Sequence, residues 1–264
     1  MLRGLLSSPL GFLIGLSLGT LGGGGSILAV PALVYGAGQD SRSATTTSLV
    51  VVGAAALGGL VGHLGAGRVR VRAGLGLGAA GIGGSFAGSA LNRAVPERTL
   101  LLAFAGLMLV AAWRMWPRYR QPAAEAPPDD ASAPLPGPAR AQIVIGRLLA
   151  VGTGVGFMTG FFGVGGGFVV VPALVLALGY ELPVAVGTSL LVIAINSADA
   201  LAFRLPAGGL DWSVAAPFTI AALVGAALGA RVAGRVPVVR LSRWFAVLLV
   251  VLAGYVGVRS AAGL

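Results

Sequence analysis

Two stretches of this chain carry no charged residue, and each is too long to cross a bilayer as one straight helix. They cover residues 4–39 and 148–180. A straight helix of that length would measure roughly 50 Å, whereas the hydrocarbon core of a bilayer is about 30 Å thick. Glycine clusters, which hold helix poorly, interrupt both stretches at residues 22–26 and 163–167. Each stretch is therefore predicted to form two half-helices joined at a glycine-rich tip.

The composition indicates a membrane protein. Of the 264 residues, 56% are apolar and only 10% are charged, whereas soluble domains carry about 25% charged residues. So few charges cannot cover the surface of a globular enzyme in water. All 18 basic residues are arginines in short gaps between apolar segments. This spacing is typical of membrane topology signals, and a nucleic-acid binder would instead gather its charge on one polar face.

Several kinds of chemistry are excluded by residues that the sequence lacks. There is no cysteine, and His63 is the single histidine, so thiolate and multi-histidine metal sites are ruled out. There is no lysine, and therefore no GxxxxGK[ST] nucleotide-binding motif. A serine hydrolase built on Ser26 and His63 lacks a recognisable aspartate partner. We expect no enzymatic activity, cofactor, metal ion or nucleic-acid partner.

The apolar segments predict an all-α polytopic membrane protein. A spanning helix needs about 20 apolar residues. Two segments, 9–38 and 147–179, are the glycine-broken helices. Six others have the length of one crossing, namely 43–64, 73–92, 98–116, 183–204, 212–232 and 238–257.

The chain contains an internal repeat. A shift of 141 residues aligns its two halves without a gap, and 16 of the 39 positions from 11 to 49 are then identical. Repeat 1 covers residues 1–117 and repeat 2 covers residues 142–264, each with one broken helix and three spanning helices. The segment between them, 118–141, is rich in proline and alanine and is predicted to be a solvated linker.

The topology depends on whether the broken helices cross the membrane. If both cross, the arginines divide 11 to 7 between the two sides. If both are re-entrant hairpins, six helices cross, the repeats are inverted, and the arginines divide 12 to 6. The cleaner bias and the segment lengths favour the second arrangement. It predicts a cytoplasmic linker and both termini outside.

The repeated motifs resemble those of the sulfite exporter TauE/SafE family of membrane transporters. GTLGGGGSILAVPALV spans residues 19–34, and TGFFGVGGGFVVVPALV spans residues 159–175. ATTTSL at 44–49 and AVGTSL at 185–190 follow at the same distance. The resemblance covers nearly the whole chain except the linker, and repeat 1 departs from repeat 2 by having Ser26 where repeat 2 has Gly167.

The resemblance implies a function in anion transport. It implies a multi-pass protein of the cell (inner or plasma) membrane that exports sulfite or a related sulfur oxyanion or organosulfonate. An anion channel that uses the same tips as a filter is the alternative. Coupling to protons or sodium and a homodimeric state are left open by the sequence.

The glycine-rich tips are candidates for the anion site. A half-helix that begins inside the membrane presents free backbone N–H groups and a positive dipole end, and glycine lets an anion approach closely. The alternative is that these glycines only permit close helix packing. The candidate residues of the two tips are Gly24, Gly25, Ser26, Gly165, Gly166 and Gly167.

Hydroxyl groups follow each tip. Thr47 and Ser48 lie one to two turns into one spanning helix, and Thr188 and Ser189 lie equally far into its counterpart. Their hydroxyls are candidates to donate hydrogen bonds to an oxyanion. The alternative is that they bond back to helical carbonyls, as serine and threonine routinely do.

Two further polar residues lie in the helix that follows Thr188 and Ser189. Asn196 is a candidate substrate ligand, and Asp199 is a candidate coupling residue because intramembrane carboxylates commonly carry protons or ions. The three-residue spacing puts both on one helix face. Pairing of Asp199 with Arg204 is the structural alternative.

Small-residue pairs and the histidine have simpler interpretations. Gly84 and Gly88, like Gly225 and Gly229, are predicted to mark helix contacts within the bundle, with a dimer interface as the alternative. His63, near a helix end, is interpreted as an interfacial residue in preference to a pH sensor.

Overall fold

The structure, a computed structural model, describes residues 2–92, 94–115, 138–162, 167–204 and 210–261. In these ranges the chain is helical, with one π-helical turn at Ala32–Gly36 after α2. The helices are α1 (Leu2–Leu21), α2 (Gly24–Pro31), α3 (Ser41–Gly65), α4 (Val71–Asn92), α5 (Glu97–Met115), α6 (Pro138–Phe162), α7 (Gly167–Ala177), α8 (Leu182–Arg204), α9 (Trp212–Ala233) and α10 (Val238–Ala261).

The helix lengths agree with a protein that lies in a membrane. Within the described ranges, three helical stretches are long and apolar enough to cross a bilayer: Ser43–Gly65, Leu182–Ala202 and Trp212–Ala233. Helix α6 begins at Pro138, so the last residues of the predicted linker 118–141 are helical. Proline suits that first helical position because its missing N–H would be unbonded there anyway. Residues 116–137, which hold the rest of the linker, lie outside the described residues.

Two glycine-lined seams hold helix pairs at backbone contact. Along α1, a Cβ atom added at Gly15 or Gly19 would overlap the carbonyl oxygens of Ala222 and Ala226 in α9. One at Gly11 would lie 2.7 Å from the Phe218 carbonyl oxygen. The order of these contacts makes α1 and α9 parallel.

The second seam joins α4 to α6 in the same way. A Cβ atom at Gly84 or Gly88 would overlap the carbonyl oxygens of Thr153 and Phe157. Gly225 and Gly229 of α9 lie in the first seam. Cβ atoms added to them would overlap the carbonyl oxygens of Phe12 and Leu16 in α1. The small-residue pairs are thus contacts within the bundle, and that prediction is confirmed.

Contacts between the other helices set their directions. Gly53 packs against Ser197 and Gly59 against Leu190, so α3 and α8 are antiparallel. Further glycine contacts make α3 parallel to α9 and α4 parallel to α8: Gly58 with Leu223, Gly62 with Ala230, Gly74 with Leu191 and Gly78 with Ile195. Helices α1, α3 and α9 therefore run one way, and α4, α6 and α8 run the other way.

The chain turns back sharply after α1. Gly22 has φ +69°, a left-handed conformation that ends helices, and its N–H bonds to the Leu18 carbonyl oxygen at 2.8 Å. A Cβ at Gly25 would lie 2.6 Å from the Ile14 carbonyl oxygen, and Gly36 contacts Leu10. Helix α2 and the π-turn thus run back along α1, and the predicted break at the first glycine cluster is found at residues 22–23.

Candidate functional site

The first glycine tip lies against the second half of the chain. A Cβ atom at Gly22 would lie 2.6 Å from the Ser189 Oγ in α8 and 3.0 Å from the Val171 Cγ2 in α7. Helix α2 begins just beyond, and its N-cap residue, Gly23, supplies no capping side chain. The first N–H groups of a helix have no acceptor within that helix, so a buried, uncapped beginning can bind an acceptor of another kind.

The beginnings of α2 and α7 meet each other. A Cβ atom at Gly167, the first residue of α7, would lie 2.8 Å from the Ser26 Oγ and 2.9 Å from the Ile193 Cδ1. Gly167 is buried and Ser26 is only 5% exposed. Ser26 and Gly167 are also partners under the 141-residue shift, so two equivalent positions are in contact. We call this junction the Ser26–Gly167 contact.

The other tip glycines differ in what surrounds them. Gly25 faces the backbone of α1, with Leu18 N 2.8 Å from a Cβ placed there, so a glycine is needed at this position for packing alone. Gly24 faces the Leu248 Cδ2 at 2.7 Å, the end of a flexible side chain. Gly165 and Gly166 lie outside the described residues.

All three candidate serines donate their hydroxyl hydrogens to nearby carbonyls. Ser26 donates to Gly23 at 2.7 Å, Ser48 to Thr45 at 2.8 Å, and Ser189 to Val186 at 2.8 Å. A serine hydroxyl has a single hydrogen to donate. While these three bonds are present, the serines therefore cannot donate a hydrogen bond to an anion.

The two threonines keep their hydroxyl hydrogens. Thr188 accepts a hydrogen bond from the Arg70 N–H at 3.0 Å, which leaves its own O–H unused by that contact. The Thr47 Oγ1 is buried and has no hydrogen-bond partner within the described part of the chain. Both residues are 0% exposed. Of the four hydroxyls that follow the tips, these two are the better donors.

Thr47 and Thr188 are too far apart to bind one small anion together. Because α3 and α8 are antiparallel, Thr188 is level with the last turns of α3, whereas Thr47 is in its second turn. At 1.5 Å per residue the two threonines are roughly 20 Å apart along the helix axes. The structure thus brings Ser26 and Gly167 together and separates the two Thr-Ser pairs.

Asn196 and Asp199 lie along the middle and later turns of α8. The Asn196 Oδ1 is 3.8 Å from a Cβ placed at Gly81 of α4, so this residue faces the α4 side of the bundle. Both residues are half-buried. The side chain of Arg204 is outside the described set, so the predicted alternative of an Asp199–Arg204 pair remains a prediction.

One polar cluster was underestimated from the sequence. His63 is only 1% exposed, and its Nε2 is 3.0 Å from the Gly19 carbonyl oxygen, just before the first tip. A Cβ at Gly187 would lie 3.1 Å from the His63 Cβ, so the histidine packs beside Thr188. In the sequence, only its being the single histidine singled this residue out. Its burial could not be predicted because it depends on how α1, α3 and α8 pack.

The site has no metal-binding character in the described part of the chain. No group of three histidine, cysteine, aspartate or glutamate side chains comes together there. Ser26 and His63 each bond to backbone carbonyls, and neither bonds to the other.

Known proteins similar to this chain carry the name of probable membrane transporters. A "Probable membrane transporter protein" of Xylella fastidiosa (strain 9a5c) is 34% identical over 260 residues, covering 96% of this chain and 95% of that protein. The "Probable membrane transporter protein YunE" of Bacillus subtilis (strain 168) is 28% identical over 244 residues, covering 87% and 85%. No solved structure matches. The family model "Sulfite exporter TauE/SafE" matches residues 8–256, and the chain therefore belongs to the TauE/SafE family of membrane transporters.

Proposed function

We propose that this chain is a secondary transporter of the inner or plasma membrane that exports sulfur-containing oxyanions, such as sulfite or small organosulfonates. The anion binds where α2 and α7 begin, at the Ser26–Gly167 contact. The membership of the family supports the substrate class, and the anion is held by backbone N–H groups and helix dipoles.

The Ser26–Gly167 contact carries this proposal. Two helix beginnings meet there in the interior of the bundle, and that of α2 has no capping side chain. Partial positive charge from both dipoles falls on the same small volume, which suits an anion. A site without a fixed cationic side chain binds weakly enough to release its cargo.

The directions of the helices support inverted repeats. Under the 141-residue shift, α1, α3 and α4 correspond to α6, α8 and α9, and in each pair the two helices run in opposite directions. Helix α2 runs back along α1, and α3 is parallel to α1, so the α1–α2 pair begins and ends on the same side of the bundle. This is what a re-entrant hairpin requires, and it leaves three crossing helices in each repeat.

The glycine seams support a division of the helices into two moving bodies. Helix α1 of repeat 1 packs on α9 of repeat 2, and α6 of repeat 2 packs on α4 of repeat 1. Rocking one whole repeat against the other would open both seams. We therefore assign alternating access to movement of α1, α3 and α9 against α4, α6 and α8, with the α3–α8 and α2–α7 contacts between the two bodies.

Efflux from proteoliposomes tests this function. Sulfite release that saturates with concentration and follows a proton or sodium gradient is expected of the transporter. Release that rises linearly and ignores both gradients would indicate the anion channel. No release of sulfite, sulfate or methanesulfonate would refute the proposed substrate class.

Two variants locate the site in the same assay. Gly167→Ala places a methyl group 2.8 Å from the Ser26 Oγ and should greatly reduce efflux, while the protein still inserts. Gly154→Ala is the matched control, since nothing lies within 4 Å of a Cβ there. Equal efflux from both variants would remove the Ser26–Gly167 contact as the binding site.

Asp199 is proposed to couple anion movement to protons. Asp199→Asn preserves the shape of the side chain and cannot ionise. Loss of gradient-driven efflux with retention of anion exchange is expected. A variant that keeps the wild-type dependence of efflux on pH would show that Asp199 is structural.

A further inference from the structure

Two buried hydrogen-bonding atoms without partners belong to residues at the end of α3 and in the loop that follows it. The His63 Nδ1 is buried and has no partner among the described residues, and the same is true of the Arg70 Nε. The loop that carries Arg70 is fixed to α8, because its N–H donates to the Thr188 Oγ1 at 3.0 Å. Gly187, next to Thr188, packs against the Arg68 carbonyl and the His63 Cβ. One small region thus joins a histidine, an arginine and a threonine hydroxyl.

The tautomer of His63 follows from its one hydrogen bond. The Gly19 carbonyl can only accept, so Nε2 must carry the hydrogen that is donated to it at 3.0 Å. The Nδ1 of neutral His63 is then a bare lone pair, which repels an anion. Protonation turns Nδ1 into an N–H donor and adds a positive charge.

The charges around His63 are mostly positive. Helix α1 offers the Gly19 carbonyl, and α8 offers the uncharged Gly187 and Thr188. The Arg68 guanidinium lies beside Gly234 at the end of α9, 3.4 Å from a Cβ placed there. The further charged groups at this end of the surrounding helices are Arg70, the exposed Arg72, the exposed Glu181 before α8, the exposed Arg231 of α9 and the exposed Arg235 just after α9.

We propose that His63, Arg70 and Thr188 form a second anion-binding site, which takes an oxyanion or sulfonate together with a proton. The Arg70 Nε and the Thr188 O–H donate to the anion, and the proton on the His63 Nδ1 supplies the third donor. Each ligand then strengthens the binding of the other, as reciprocal linkage requires. The substrate class rests on the proposed function, but the existence of the site does not.

Binding measured by isothermal titration calorimetry on the full chain in detergent tests this site. Methanesulfonate and sulfate are suitable probes because their charge is constant between pH 6 and pH 8. The wild-type protein should bind them about tenfold more tightly at pH 6, the size of one added charged hydrogen bond. His63→Gln should abolish this difference.

Two more variants keep the test decisive. Arg70→Gln, which preserves the backbone N–H that bonds Thr188, should weaken binding about tenfold at both pH values. Arg240→Gln removes an exposed arginine from the first turn of α10 and should bind as the wild type does. Size-exclusion profiles identify any variant that does not fold, and if His63→Gln fails, Arg70→Gln still decides.

The outcomes separate this site from the proposed function. Unchanged pH dependence in His63→Gln, or unchanged affinity in Arg70→Gln, overturns the site even when sulfite efflux from proteoliposomes is normal. Absence of anion binding by the wild-type protein also overturns it. Loss of pH dependence in His63→Gln supports the site even if the transported substrate is not a sulfur compound.

Discussion

Replacing Gly22 with alanine tests whether the tip between α1 and α2 is held against α8. At φ +69° an L-residue costs about 1–2 kcal/mol in backbone strain. The new methyl group would also lie 2.6 Å from the Ser189 Oγ and 3.3 Å from the Val186 Cα. Overpacking of this kind costs about 1–3 kcal/mol. The two effects together predict about 2–5 kcal/mol of lost stability.

Two other glycines separate the strain from the packing. Gly67 and Gly179 also have positive φ, +66° and +73°, but a Cβ at either would meet nothing within 4 Å. Alanine at these positions should therefore cost only the strain, about 1–2 kcal/mol. Adding Ser189→Ala to Gly22→Ala should recover part of the lost stability because it removes the nearest atom.

The free energy of unfolding, measured by SDS titration in mixed micelles, distinguishes these cases. If Gly22→Ala is no more destabilising than Gly67→Ala and Gly179→Ala, the tip is not packed against α8. The same result would weaken the assignment of the Ser26–Gly167 contact, because that contact depends on the same placement of the tip.

Three further predictions concern the seams, a helix cap and the topology. Gly84→Ala, which would overlap a carbonyl of α6, should lower the unfolding free energy by at least about 3 kcal/mol. Gly83→Ala, with open space around it, should raise it slightly, by up to about 1 kcal/mol; equal effects would refute the seam. Hydrogen bonds from the Ser213 hydroxyl and N–H hold the pKa of Asp211 below its ordinary value. The resulting stabilisation should be present above the unfolded-state pKa, near ~4, and disappear as the pH falls through the lowered folded value. The thermal unfolding temperature of the wild-type protein should therefore fall at acid pH by more than that of Asp211→Ala. Identical pH profiles for the two proteins would contradict this. A reporter fused within residues 118–137 should read cytoplasmic, and an external signal would reverse the topology.

Hydropathy, repeat and glycine patterns were enough to predict the helical membrane fold. The break in the first long apolar run, the start of α7 at Gly167, and the transporter family follow from neighbouring residues along the chain. These properties are readable because hydropathy, helix length and helix breaking are local. The 141-residue repeat also predicted that Gly84 and Gly225 would have equivalent roles, and both lie in helix seams.

The partners across those seams required the tertiary structure. No pattern along the chain indicated that α1 of repeat 1 packs on α9 of repeat 2, or that Gly25 is filled by the backbone of α1. The separation of Thr47 from Thr188 follows from the antiparallel packing of α3 and α8. From the sequence, all tip glycines were predicted to have one role, and so were all Thr-Ser hydroxyls, because their residue types are alike. Folding distinguishes them, since a glycine or a hydroxyl acquires its role from the atoms that distant parts of the chain bring within about 3 Å of it.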